Sequence, residues 1–241
     1  MQIGALVLGA GRGERFRASG ASSAAPKALA LLAGRSLLAH SLRALAAAAS
    51  VDVVLPVLSQ DGLDRWPAVE AECGPLPGLR PPVLGGAERI DSVRCGLAGL
   101  GPSVDWVAVH DAARPLVRAD EIDRVVAAAR GGGAATLACP VSDTIHRATT
   151  DRTIAETPDR AGLWRALTPQ VFRRDWLEAA LAAALRDGLA ATDDAGLVAR
   201  QGHPVALVAA GAANPKITTA ADLRAAEGLL ADGVGGPGGA S

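Results

Sequence analysis

Lysine is nearly absent from this chain. Of 24 basic residues in 241, only Lys27 and Lys216 are lysines, so arginine supplies a generic positive charge almost everywhere. Lysine is a compact point charge on a flexible stem and arginine a planar fork, so a site crowded by polyphosphate could resist the exchange. Chance survival of two surface lysines is the competing reading, and their neighbourhoods decide between them. Tyrosine is missing and aromatic residues make up 2%; with abundant alanine, this reads as coding bias and points to no function. Cys73, Cys95 and Cys139 stand far apart, which excludes a close-spaced zinc site or a disulfide framework and fits a reducing compartment. No apolar run approaches the roughly 18 residues of a membrane span. Ile3–Leu8 is too short for a signal peptide's apolar region and has no basic segment before it, so a cytoplasmic protein is expected. A formal charge of -1 argues against a broad basic face for nucleic acid.

The patterning is that of an α/β protein. Ile3–Leu8 is continuously apolar, as buried parallel strands are, and a turn follows at Gly9–Gly13. A helix is expected from about Ser36 to Ala49, with Leu38, Leu42 and Leu45 on one face. A strand is expected over Val51–Leu58, and an irregular, proline-dotted stretch with one weak helix over 59–80. A short strand at Val83-Leu84 leads into a helix over Ile90–Leu100, and Val104–Val109 is a buried strand ending at His110-Asp111. Asp120 reads as the N-cap of a helix closed by three glycines. A strand follows at Ala134–Ala138. Residues 144–167 are polar and irregular, with β-like pieces: either a long surface excursion or, the favoured reading, an arm packed on a second subunit. Helices at Arg173–Arg186 and Asp193–Arg200, a strand at Val205–Val208, and a Thr219-x-x-Asp222 capping box complete the pattern, before a glycine-rich tail over 233–241 expected to be disordered. Alternating strands and helices imply one domain with a mostly parallel, doubly wound sheet.

Three constellations carry chemistry. Gly9-Ala10-Gly11-Arg12-Gly13-Glu14-Arg15 follows the first strand, at the edge where such sheets bind ligands. Its glycines let backbone N–H groups face phosphate oxygens. The spacing fits neither the dinucleotide fingerprint nor a P-loop. Arg12, Arg15, Arg17 and Pro26-Lys27 favour an anion site over a bare turn. Val109-His110-Asp111-Ala112-Ala113-Arg114-Pro115 places a carboxylate and a guanidinium at the end of a strand, either as a chance pair or at the same crevice, in reach of a sugar or metal. Gly85-Gly86 with Arg89 and Asp91-Ser92 could line a base pocket, although a simple turn and helix cap would look the same.

Taken in order, these segments resemble a known family. They are joined by Pro140-Val-x-Asp-Thr144, Asp159-Arg160-x-x-Leu-Trp, Leu167-Thr-Pro-Gln170, Thr192-Asp193 and Asn214-x-Lys216-Ile-Thr. The whole, over roughly residues 3–230, is similar to 2-C-methyl-D-erythritol 4-phosphate cytidylyltransferases of the non-mevalonate isoprenoid pathway. The resemblance implies a Rossmann-like nucleotidyltransferase fold with a protruding β-arm that clasps a second subunit in a homodimer. It implies CTP and a sugar-alcohol phosphate as substrates, and Mg²⁺ or another divalent cation held mainly by the CTP phosphates, with Asp111 a candidate ligand. Gly9, Ala10, Gly11, Gly13, Gly86, Ser92 and Ala112 would bind the nucleotide. Asp111, Arg114, Thr144 and Thr168 would bind the sugar phosphate. Arg15, Lys27, Lys216 and Arg160 would be catalytic, with Arg160 reaching the neighbouring subunit's site. Three features depart from the pattern: the long Ala/Ser-rich link between Arg15 and Lys27, Pro215 where an aliphatic residue is usual, and His146 in place of a basic residue.

A phosphate monoester is already anionic, so its attack on CTP requires no general base. Catalysis is then positioning and charge neutralisation. A cytidylyltransferase for another polyol phosphate is the nearest rival. A nicotinamide oxidoreductase fails on the glycine spacing and on the missing acidic residue near Leu58. A silent nucleotide-binding regulator could dispense with Lys27, Asp111 or Lys216, and all three are present.

Overall fold

The computed structural model describes residues 1–20, 25–190, 192–211 and 214–233. The tail beyond Gly233 and part of the link between Arg15 and Lys27 lie outside them. In chain order the elements are β1 (Gln2–Gly9), α1 (Glu14–Ala18), a 3₁₀ turn (Lys27–Leu29), β2 (Leu31–Leu32), β3 (Arg35–Ser36), α2 (Leu37–Ala47), β4 (Val53–Leu58), α3 (Gln60–Asp64), α4 (Trp66–Cys73), β5 (Val83–Leu84), α5 (Arg89–Leu100), β6 (Val104–Asp111) and α6 (Ala119–Gly132). There follow β7 (Ala134–Pro140), β8 (Arg147–Ala148), β9 (Ile154–Glu156), β10 (Trp164–Arg173), α7 (Arg174–Arg186), α8 (Asp194–Arg200), β11 (Ala206–Ala209) and α9 (Ala220–Ala231).

Seven strands form one sheet in the order β11-β7-β10-β6-β1-β4-β5. It is mostly parallel, as expected, but β10 runs antiparallel between β6 and β7. The continuous apolar strands are buried on both faces. Ile3, Ala5 and Val7 of β1 pack with Leu38, Leu42 and Leu45 of α2 and with Ile122 and Val125 of α6. Leu6, on the opposite face, packs with Val93 and Leu97 of α5 and with Phe172 and Leu177. The carboxyl ends of β1, β4 and β6 therefore open along one edge, between two helical layers. A third, smaller cluster of Phe16, Leu32, Leu37, Leu116 and Ile217 pins the glycine turn and the Lys216 segment to the same end.

Local signals held where side chains cap backbone donors. Ser36 Oγ accepts from Ala39 N, so α2 starts at Leu37, and the Thr219–Asp222 capping box opens α9. Other boundaries moved. Segment 59–80 contains two helices: Ser59 caps the first, Pro67 is tolerated in the first turn of the second, and Trp66, Val69 and Cys73 bury a stripe. Asp120 is not the N-cap of α6. The helix begins at Ala119, Glu121 accepts from Arg118 N, and Asp120 accepts from the Arg118 guanidinium. The stretch expected as an arm over 144–167 becomes sheet at Trp164, where β10 enters between two other strands.

Candidate active site

The first wall of the site is the turn after β1. Gly13 adopts φ 64°, and a Cβ added there would stand 2.9 Å from Lys27 Cβ. Glycine thus permits both the left-handed backbone and the approach of Pro26-Lys27. The Lys27 ammonium reaches back to donate to Ile217 O at 3.1 Å. This contact ties the loop after α1 to the segment carrying the second lysine. Burial lowers the Lys27 pKa to about 8, with Lys216 contributing in the same direction and Asp111 opposing it.

The second wall is the turn before α5. A Cβ on Gly85 would lie 2.6 Å from that of Ala10, so the two turns touch. Ser92 Oγ accepts from Gly86 N at 3.2 Å, while Asp91 accepts from Glu88 N in an ordinary helix cap. The turn and helix-cap reading of this segment is thus seen directly, and Gly86 and Ser92 also line the cleft. The cleft between the walls has a volume of about 190 Å³. Gly9, Ala10, Gly11, Gly86, Ser92 and Ala112 line it, together with Lys27, Asp111 and Lys216. Gly13, Arg15 and both lysines also line the open groove beside it.

Asp111, at the end of β6, is the electrostatic centre. Its Oδ1 accepts from Arg89 Nη1 at 2.8 Å and its Oδ2 from Lys216 Nζ at 2.8 Å. Arg114 Nε stands 3.8 Å from Oδ2. Burial would raise the Asp111 pKa, but Arg89 and Lys216 outweigh it and hold the carboxyl well below the usual range. Arg89 Nη2 donates in turn to Asp194 Oδ2 at 2.8 Å. Burial disfavours the Arg89 charge, yet the two carboxylates prevail and its pKa rises. The neighbouring His110 is fully buried, and desolvation lowers its pKa to about 4. Neutral and hydrogen-bonded to Arg114 O and Thr168 Oγ1, it is a strut in this structure.

The acceptor-side candidates separate into two groups. Arg114 and Lys216 line a further cavity of about 320 Å³ with Arg165, Asn214 and Cys139. Arg114 is held there by Asn214 O at 3.1 Å and Ala166 O at 3.3 Å. Its Nε and Asn214 Oδ1 are buried and make no hydrogen bond among the described residues. Thr168 is buried beneath the floor, accepting from Asp111 N. Thr144 is exposed on the arm. Arg160, also exposed, donates to Ser142 O of its own arm at 2.7 Å and is not among the residues lining the cleft. Pro215, which lacks an N–H, lies in a segment without strand pairing; Ile217 N docks it on Ala113 O instead. Sequence reasoning named Arg89 only for a base pocket, quoted Asn214 in the Asn214-x-Lys216 motif without giving it a role, and passed over Asp194 and Arg165.

Among the described residues no group of three or more His, Cys, Asp or Glu side chains could cage a metal. With both Asp111 oxygens engaged by cations, the donor set suits Mg²⁺ carried on phosphate oxygens with at most a carboxylate from the protein. No helix among the described residues is long and apolar enough to cross a membrane.

Comparison with known proteins bears on the fold and the family. The Pelotomaculum thermopropionicum 2-C-methyl-D-erythritol 4-phosphate cytidylyltransferase is 40% identical over 95% of this chain and 94% of its own length. The bifunctional enzyme IspD/IspF of Rhodospirillum rubrum is 44% identical over 95% of this chain and 57% of its own. Among solved structures, the Thermus thermophilus cytidylyltransferase superposes with a TM-score of 0.73 at 35% identity, covering 96% of this chain and all of that one. The 4-diphosphocytidyl-2C-methyl-D-erythritol synthase of Anaerococcus prevotii shares the fold with a TM-score of 0.82, covering 95% and 96% of the two chains at 24% identity. The profile of the 2-C-methyl-D-erythritol 4-phosphate cytidylyltransferase family matches residues 3–232, so this chain belongs to that family of nucleotidyltransferases in isoprenoid biosynthesis.

Proposed function

We propose that the cleft between the Gly9–Gly13 and Gly85-Gly86 turns is where the family's reaction runs. CTP and 2-C-methyl-D-erythritol 4-phosphate give 4-diphosphocytidyl-2-C-methyl-D-erythritol and pyrophosphate. The observation that carries this assignment is the convergence of the chain's two lysines, 189 residues apart in sequence, on one cleft floored by glycine turns.

The cytosine lies against Ala10, Gly86 and Ser92, where backbone groups read its edge, and Ala112 closes the ribose side. The triphosphate runs along Gly11 to Gly13 toward Arg15. The acceptor's phosphate enters from the Arg114 side, guided by Lys216, with Arg165 and Asn214 deeper in that cavity. Its oxygen attacks the α-phosphorus in line and the bond to the β-phosphate oxygen breaks. No proton needs removing from the nucleophile, so neutral His110 has no part in the step. Lys27 and Arg15 neutralise the crowded equatorial oxygens and the departing pyrophosphate. Asp111 would be the candidate carboxylate for a divalent cation brought in with the triphosphate, which would add neutralisation of phosphate charge.

The arm over residues 141–163 is exposed and carries Ile145, at 41% exposure, and Ile154, at 63%, on its surface. This supports a homodimer in which the arm packs on a second subunit and offers Arg160 to that subunit's acceptor. Thr144 travels with the arm, and Thr168 acts from below by holding Asp111.

The test is Lys27→Ala. Loss of one preorganised cation at developing charge lowers kcat by about 10²–10³, measured as pyrophosphate release with and without 2-C-methyl-D-erythritol 4-phosphate. Near-normal turnover would refute the role of Lys27.

A further inference from the structure

Asp194, Arg89, Asp111 and Lys216 form a line of alternating charge with three successive links of 2.8 Å. They come from four separate parts of the chain: the start of α8, the start of α5, the end of β6 and the segment before α9. Asp194 is 0% exposed, whereas the Lys216 side chain is 41% exposed. The line thus runs from the interior to the cleft.

The Asp194 carboxylate is not needed to build α8. Asp193 Oδ1 caps that helix through Gly196 N, and Gln170 Oε1 accepts from both Asp194 N and Ala195 N. Asp194 Oδ1 itself makes no hydrogen bond among the described residues. A buried carboxylate with one oxygen unpaired is costly, and an amide would pack the same corner at lower cost. The charge acts on Arg89. A guanidinium facing one carboxylate prefers to engage both its oxygens in a two-pronged contact. By occupying Nη2, Asp194 limits Arg89 to Asp111 Oδ1 and leaves Oδ2 for Lys216.

We propose that Asp194 is a positioning residue for the cytidylyl transfer: through Arg89 and Asp111 it fixes where the Lys216 ammonium stands. Without the Asp194 charge, Arg89 closes on both oxygens of Asp111 and Lys216 loses its anchor. The proposal rests on the reading that Lys216 guides the acceptor's phosphate.

The experiment is a double-variant cycle on the full-length enzyme, measuring kcat/KM for the acceptor at saturating CTP in Asp194→Asn, Lys216→Ala and the combination. Asp194→Asn lowers acceptor kcat/KM by about 10–100-fold, the usual scale for a supporting partner of a site residue, and leaves CTP binding within about threefold. In the Lys216→Ala background the same change has no further effect, because the line no longer ends on an ammonium. Full additivity would overturn the proposal and make Asp194 a residue of the fold alone. Normal acceptor kcat/KM in Lys216→Ala would overturn the Lys216 reading and the proposal with it. Should Asp194→Asn fail to fold, Arg89→Lys serves in the same cycle: it keeps a cation between the carboxylates but cannot fork to both.

Discussion

Lys27 is half-buried with a second ammonium nearby, and its pKa of about 8 follows. Its charge is largely present near neutrality and is lost as pH rises through about 8. A triphosphate needs that charge, so bound CTP should raise the pKa again. Between pH 8 and 10 CTP binding should weaken, with uptake rising from about half a proton per site at pH 8 toward one near pH 9. Calorimetry in buffers of different ionisation enthalpy measures that uptake. Proton-neutral binding at pH 9 would contradict the assigned contact. Gly13 makes a second residue-level case. Gly13→Val imposes a left-handed backbone on a β-branched residue, at a cost of about 1–2 kcal/mol, and crowds Lys27 Cβ. Its expected signature is a raised KM for CTP with little change in KM for the acceptor; equal effects on both would argue against this placement.

At the scale of elements, the site is built from strand ends, and those were the most readable part of the sequence. The continuous apolar runs at Ile3–Leu8 and Val104–Val109 announced buried parallel strands, and the motifs after them fell where such strands open. What stayed hidden was antiparallel or paired over long range. The Leu167-Thr-Pro-Gln170 stretch reads as polar and broken. Yet Thr168 and Gln170 are buried because their side chains bind Asp111 N and the start of α8. Such polar residues satisfy partners 57 and 24 positions away, which no local periodicity reports. Asp194 escaped notice for the same reason, since its partner Arg89 lies 105 positions away. If β10 is a central strand as described, Phe172→Ala, at a side chain with 0% exposure, should cost about 3–5 kcal/mol. Urea unfolding with an unchanged denaturant slope is the check, and a cost under about 1 kcal/mol would remove Phe172 from the core.

At the scale of the whole molecule, the proposed homodimer turns on the arm. Arg160 donates to Ser142 O of its own arm, and Ile145 and Ile154 are exposed on the same arm. The dimer reading makes a complementation prediction. Arg160→Ala alone should raise KM for the acceptor and leave CTP binding nearly intact. Lys27→Ala and Arg160→Ala subunits, each weak alone, should regain activity when mixed and exchanged. In a mixed dimer one of the two sites then combines an intact Lys27 with an intact Arg160. With random exchange in a two-fold dimer, roughly a quarter of normal activity is expected. No gain on mixing would place Arg160 in its own subunit's site or outside catalysis. Ile154→Asp should shift sedimentation toward the monomer and lower activity in parallel.

Determining where CTP sits in a crystal of the enzyme soaked with nucleotide and Mg²⁺ tests the central claim most directly. The account predicts the base between Ala10 and Gly86, with the triphosphate along Gly11–Gly13 against the Lys27 ammonium and Lys216 on the acceptor side of the α-phosphate. A triphosphate lodged elsewhere, touching neither lysine, would contradict it.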